Sequence, residues 1–112
     1  MQLSASTIIG DSVRNGAGED LGNIEDLMIN VESGAVEYAV LSFGGFLGIG
    51  DKLFAVPLEA MQVDTEHHQF VLNESQDRLK NAPGFDKDHW PNHADPKWQQ
   101  TVRDYYNLDA RM

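Results

Sequence analysis

From Thr7 to Leu72 the apolar residues fall in short runs broken by glycine-bearing turns, the pattern of a meandering antiparallel sheet rather than of helices. It predicts five or six strands. The first, around Ser12 to Arg14, ends at Asn15-Gly16-Ala17-Gly18, where glycine adopts positive φ freely and asparagine tolerates it. That hairpin leads into Leu21 to Asn30, and Glu32-Ser33-Gly34 turns this strand into Ala35 to Phe43, a run rich in β-favouring Val, Tyr and Phe. Within Leu21 to Asn30, Ile24 and Met28 share one side with Asp26 while Leu27 and Ile29 share the other, a conflict that a β-bulge repairs. Val40-Leu41 places apolar residues on both faces of the next strand, as a curled sheet requires. Leu53 to Val56, stopped by Pro57, is followed by Met61 to Asp64 and Phe70 to Leu72, which are joined across Thr65-Glu66-His67-His68-Gln69.

After Leu72 the texture changes. Ser75 to Asn81 reads as a short helix with Ser75 as N-cap, ended by Pro83-Gly84. An extended stretch from Phe85 to Asn92 leads to a second helix, Asp95 to Asn107, with Asp95 as N-cap and Pro96 at its first position. Trp98, Val102, Tyr105 and Tyr106 share one face of that helix and must pack on something, either the open end of the sheet or a second copy of the chain. The expected organisation is therefore a β domain over residues 1–82 and an extension over 83–112 with one amphipathic helix.

The charge is unevenly distributed. Eighteen Asp and Glu against eight Lys and Arg give a net charge of −10. Residues 1–72 carry eleven acids and two bases, whereas residues 73–112 carry seven acids and six bases. Such a field repels phosphate backbones, which disfavours direct nucleic-acid binding and points to protein partners with basic surfaces. Without cysteine there is neither a disulfide framework nor a thiolate nucleophile. The start, Met1-Gln2-Leu3-Ser4, has no basic n-region or apolar core, and no run approaches a membrane span, so the expectation is a cytoplasmic chain.

Candidate chemistry is sparse. His67 and His68 are neighbours in a predicted turn, where adjacent side chains diverge, and Pro91 interrupts the spacing of His89 and His93, so solvated loops outweigh a metal site. Glu19-Asp20 and Glu25-Asp26 are adjacent strand residues that point to opposite faces, the wrong geometry for an acid–base pair. The glycines of Gly44 to Gly50 precede a strand, and Gly48-x-Gly50-Asp51-Lys52 lacks the Ser or Thr of a phosphate loop. More informative are Phe46, Leu47 and Ile49, large apolar residues on that glycine-rich loop, which pack either on the chain's own core or on a partner. No cofactor is expected.

Taken together, Ile9-Gly10-Asp11-Ser12-Val13, Gly18-Glu19-Asp20-Leu21-Gly22-Asn23-Ile24-Glu25-Asp26-Leu27, Ser33-Gly34-Ala35-Val36-Glu37-Tyr38-Ala39-Val40 and Phe43-Gly44-Gly45-Phe46-Leu47-Gly48-Ile49-Gly50-Asp51-Lys52 before Phe54-Ala55-Val56-Pro57 make the chain resemble the PRC-barrel family. That domain is shared by the cytoplasmic part of the photosynthetic reaction-centre H subunit and a bacterial ribosome-maturation factor. The resemblance covers about residues 6–79 and is greatest to stand-alone bacterial members, which often carry Asn81-Ala82-Pro83-Gly84-Phe85-Asp86 and Trp90-Pro91 downstream. It implies a mainly β fold, a small and strongly bent antiparallel barrel of about six strands, here with a C-terminal helical arm. It also implies a docking or assembly surface rather than an active site, since fold alone does not select a chemistry. The resulting expectation is a non-enzymatic interaction module, forming a homodimer and docking on a protein partner through Phe46, Leu47, Ile49, Trp98, Val102, Tyr105 and Tyr106. The alternatives are an accessory factor of reaction-centre or ribosome assembly, and, less favoured, a metal binder or enzyme.

Overall fold

The computed structural model describes residues 2–43, 52–85, 90–92 and 95–108. Among these residues one sheet contains seven strands: β1 (Ser12–Arg14), β2 (Asp20–Ile29), β3 (Val36–Phe43), β4 (Lys52–Pro57), β5 (Met61–Asp64), β6 (Gln69–Leu72) and β7 (Gly84–Phe85). Their spatial order is β5-β6-β1-β2-β3-β4-β7. Three short helices accompany them, α1 (Ala5–Ile8), α2 (Gln76–Lys80) and α3 (Pro96–Tyr105), with a 3-10 turn over Leu58–Ala60. Among the described residues no ladder joins β5 to β7, so the sheet curls like a barrel without closing.

The mainly β expectation and the C-terminal helix hold, with three additions. The two-residue β7 lies within the stretch that reads as the start of the extension and pairs with β4 through Leu53 and Phe54. Helix α1, a single turn capped by the Ser4 side chain accepting from the Thr7 N–H at 3.2 Å, is too short to leave a periodic trace in the sequence. The third concerns direction: every neighbouring pair is antiparallel except β1 and β6, which run parallel in the register Ser12 to Gln69, Val13 to Phe70 and Arg14 to Val71.

Strand β2 contains two bulges where the sequence pattern asked for one. Against β1 the pairs Ser12–Asn23 and Arg14–Asp20 leave one extra residue on β2 around Gly22. Against β3 the pairs Ile24–Leu41 and Asp26–Val40 leave Glu25 extra. Each bulge reverses the inside–outside alternation. Leu21, Ile24 and Leu27, three residues apart, therefore all enter the core, while Asn23, Glu25 and Asp26 stay exposed. A further irregularity, at Glu37 on β3, lies beside the turn into that strand.

Gly22 is fixed by two constraints. Its φ is +96°, and a Cβ placed there would lie 2.1 Å from the Ser42 carbonyl oxygen across the ladder. In the β1–β2 turn positive φ falls on Gly18, as a glycine there allows, and Asn15 contributes its side chain. Its carbonyl oxygen accepts from the Ala17 and Glu19 N–H groups at 3.1 and 2.9 Å, and its amide donates to a Glu19 carboxylate oxygen at 2.8 Å and to the Glu74 carbonyl at 3.1 Å. A buried amide is thereby satisfied, and the first hairpin is tied to the approach to α2.

Strands β3 and β4 are buried on both faces, from Tyr38 to Ser42 and from Leu53 to Pro57. One side is the barrel interior; α3 covers part of the other, against β4 and, through Trp98, against Tyr38 of β3. The extension thus shares the core, with Phe85, Val102 and Tyr106 in the same apolar cluster as Val13, Leu21 and Phe54.

Replacing Gly22 by Ala adds a clash with backbone to an unfavourable φ and is expected to cost more than about 3 kcal/mol, read from urea unfolding. An unchanged midpoint would show that β2 and β3 separate easily at Ser42.

Candidate functional site

Of the seven residues that the sequence nominates for contacts, Phe46, Leu47 and Ile49 lie outside the described residues. The other four lie on or just beyond α3, held in place by the cap at its start: the Asp95 carboxylate accepts from the Lys97 N–H at 2.9 Å, and Pro96 fills the first turn. Val102 is wholly buried and Tyr106 is 6% exposed, both within the chain's own core. Trp98 and Tyr105 are half-buried. The Trp98 ring meets Tyr38 edge-on at 5.6 Å, and Tyr105 packs against Tyr106 at 5.4 Å.

Tyr105 also joins the two C-terminal helices through a reciprocal exchange with Arg78. The Arg78 guanidinium donates to the Tyr105 carbonyl at 2.5 Å, the Tyr105 hydroxyl donates back to the Arg78 carbonyl, and the guanidinium carbon stands 4.1 Å from the ring centroid. Glu74 completes the arrangement at 3.1 Å from the Arg78 Nε. The cation meets the last carbonyls of α3, where the helix dipole favours it. Its pKa is raised, first by the hydrogen bond to Glu74. On the opposite side of α3, Arg103 makes a two-pronged contact with Glu59 at 2.9 and 3.4 Å, fastening the helix to the 3-10 turn.

Among the described residues the titratable groups do not assemble into a catalytic set. His67 Nδ1 lies 2.8 Å from Asp64 and His68 takes φ +51° at the turn, while His89 and His93 fall outside the described residues. That hydrogen bond from His67 holds the Asp64 carboxyl below its ordinary range. Among the described residues no group of three or more His, Cys, Asp or Glu is arranged to hold a metal ion. Of the nominated carboxylates, two serve the backbone, Asp20 accepting from the Gly22 N–H at 2.9 Å and Asp26 from the Leu27 N–H at 2.8 Å, while Glu19 accepts from the Asn15 side-chain amide at 2.8 Å.

What sequence reasoning missed is a surface at the far end of β2. Ile29 is 52% exposed and Val31, in the turn that follows, is 89% exposed. Between this tip and Gln99 of α3 runs an open groove of about 400 Å³, whose lining includes Met28, Ile29, Val31 and Tyr38 beside Glu32 and Glu37. A second hollow, between α2 and α3, is lined by polar residues including Asn73, Arg78, Thr101 and Asp104. The available clue to the first was Val31 itself, a β-branched residue in a turn otherwise composed of Asn, Glu, Ser and Gly.

The Tyr106 hydroxyl is buried with no hydrogen-bond partner among the described residues, and this burial pushes the phenol's pKa upward. An unmet hydroxyl costs about 1–3 kcal/mol. Tyr106→Phe is accordingly expected to leave stability unchanged or raise it by about 1 kcal/mol in thermal unfolding, and a clear loss would reveal a partner for the oxygen.

Among the described residues no helix is long and apolar enough to cross a membrane. A search of curated proteins finds no match to the chain. The family model described as the PRC-barrel domain matches residues 1–79, from α1 through the whole β1 to β6 ladder into α2. With the bulged β2, the curled sheet and this match over most of its length, the chain belongs to the PRC-barrel domain family.

Proposed function

We propose that the chain is a non-catalytic protein-docking module of the cytoplasm, in which the curled sheet holds the β2–β3 tip rigidly in position for a partner. The observation that carries this reading is the exposure of Ile29 and Val31 side by side at the end of an ordered hairpin, beside a groove. Exposed apolar side chains cost solubility and are retained where something covers them. The family supports the same reading, since PRC-barrel domains generally act as non-catalytic interaction modules. On this view the barrel over 1–82 docks and the extension over 83–112 braces it and contributes to assembly.

A photo-crosslinking residue at position 31, introduced in the source cell, is expected to form a discrete adduct with one protein, whereas the same residue at Val63, an exposed apolar position on β5, is not. Adducts with components of a photosynthetic reaction centre or of a maturing ribosomal subunit would make the chain an accessory factor of that machine. The absence of any protein adduct at position 31 would overturn the docking reading.

Homodimerisation through the extension is a second reading, favoured by Trp90, which remains 40% exposed while packing on Phe85 at 4.9 Å. Light scattering is then expected to give twice the 12.5 kDa chain mass for the full chain, and a monomer for Trp90→Glu. A monomeric full chain would remove the extension from assembly.

A further inference from the structure

Asn15 is the one asparagine of the chain that precedes a glycine. The pair matters chemically because the side-chain amide of asparagine is open to attack by the backbone nitrogen of the next residue, and glycine has no side chain to obstruct that approach. Asn23 and Asn30 are instead followed by Ile and Val, whose β-branched side chains crowd the same nitrogen.

In the folded chain the Asn15 amide is held at every polar position. Its oxygen accepts from the Ala17 and Glu19 N–H groups at 3.1 and 2.9 Å, and its nitrogen donates to a Glu19 carboxylate oxygen at 2.8 Å and to the Glu74 carbonyl at 3.1 Å. These bonds use both lone pairs and both hydrogens that an asparagine amide has. The backbone is pinned as well, the Asn15 N–H donating to the Glu19 carbonyl at 3.1 Å and its carbonyl accepting from the Gly18 N–H at 3.0 Å. Asn15 is 9% exposed, whereas Gly16 is exposed. Both border an open hollow of about 300 Å³ between the hairpin and the approach to α2. Water therefore reaches the attacking residue, while the amide cannot turn toward it without giving up bonds to Glu19 and Glu74.

We infer that Asn15 is a deamidation site that the fold holds closed: the reaction proceeds when the β1–β2 hairpin opens, and its product prevents the hairpin from being tied to α2 again. In the step, the Gly16 nitrogen gives its proton to solvent and bonds to Asn15 Cγ. The Cγ–Nδ2 bond breaks, and the nitrogen takes up a proton and leaves as ammonia, so that a cyclic imide remains. Water then opens the imide at either carbonyl, giving aspartate or an isoaspartate in which the main chain runs through the former side chain. Water is the co-reactant, and nothing is oxidised or reduced.

The aspartate product carries an oxygen where the amide nitrogen stood, 2.8 Å from a Glu19 carboxylate oxygen and 3.1 Å from the Glu74 carbonyl, with no proton to bridge either gap. Two carboxylates at that separation oppose each other's ionisation, and a buried charge without donors is costly. The tie becomes a repulsion. Refolding does not restore the amide, so the chain keeps a permanent record of each productive opening. The inference is independent of what docks at Val31.

The test follows the full chain at mildly alkaline pH by intact mass and peptide mapping, in buffer and in unfolding guanidinium chloride. Conversion adds roughly one dalton and resolves one peptide into aspartate and isoaspartate forms. It is expected first at Asn15, and at least about tenfold slower in the folded chain than in denaturant. The ratio of the two rates should match the open fraction read from hydrogen exchange of the Ala17 and Glu19 amides, the donors to the Asn15 oxygen. Glu19→Ala removes one acceptor of the amide and is expected to speed conversion in the folded chain while leaving the rate in denaturant unchanged. Asn15→Asp is expected to lower the denaturant midpoint and to shift the amides of Glu74 to Arg78. Equal rates in buffer and in denaturant, or first conversion at another asparagine, would overturn the gated site. A midpoint for Asn15→Asp equal to that of wild type, with the Glu74 amide unshifted, would overturn the untying.

Discussion

The close approach of β2 to β3 at Gly22 is the constraint on which the remaining architecture depends. Backbone packs against backbone there because no Cβ intervenes between Gly22 and the Ser42 carbonyl. The bulge at that point and the next one at Glu25 turn an apolar spacing of three into a single inward face. Each bulge also increases the local twist, which bends the sheet around Leu21, Ile24 and Leu27. Without them alternate members of that set would face water, and the β2 strand could not serve one core.

Around that core the distant parts of the chain are joined by polar contacts laid over apolar ones. Asn15 ties the first hairpin to Glu74; Arg78 and Tyr105 tie α2 to α3; Arg103 and Glu59 tie α3 to the turn before β5. Val102 and Tyr106 supply the burial beneath these ties. Arg103 is nearly buried whereas Glu59 is 45% exposed, so solvent screens that pair and its contribution is positional more than energetic. The polar exchanges select one seat for a helix whose apolar face alone would tolerate several.

Much of the fold was legible because it is written in local chemistry. Short apolar runs between glycine-bearing turns mark β2 to β4, β3 being rich in Val, Tyr and Phe, and Ser75 and Asp95-Pro96 mark the helix starts. Less legible was whatever depends on a partner distant in sequence. The parallel pairing of β1 with β6 has no signature in either strand, and β7 is too short to carry a pattern. The register of β2 showed only as a conflict between its two faces. For the candidate surface, the helix face of Trp98, Val102, Tyr105 and Tyr106 was visible from its spacing, but spacing does not say how deeply each side chain is buried. Val31 went unread because one apolar residue in a turn has no periodicity, and its significance rests on the bonds that Asn30 makes around it.

The parallel ladder between β1 and β6 has a kinetic consequence. Val13 meets Phe70, so a strand made early in synthesis waits for one made much later, and the intervening chain must close a large loop before that contact returns any free energy. The hairpins β2–β3 and β5–β6 are local and can form as soon as they emerge. Until they meet across β1, the nascent domain has an open strand edge and a half-covered apolar face, the state most exposed to aggregation. The acidic bias of residues 1–72 gives such half-formed chains a mutual repulsion during that interval.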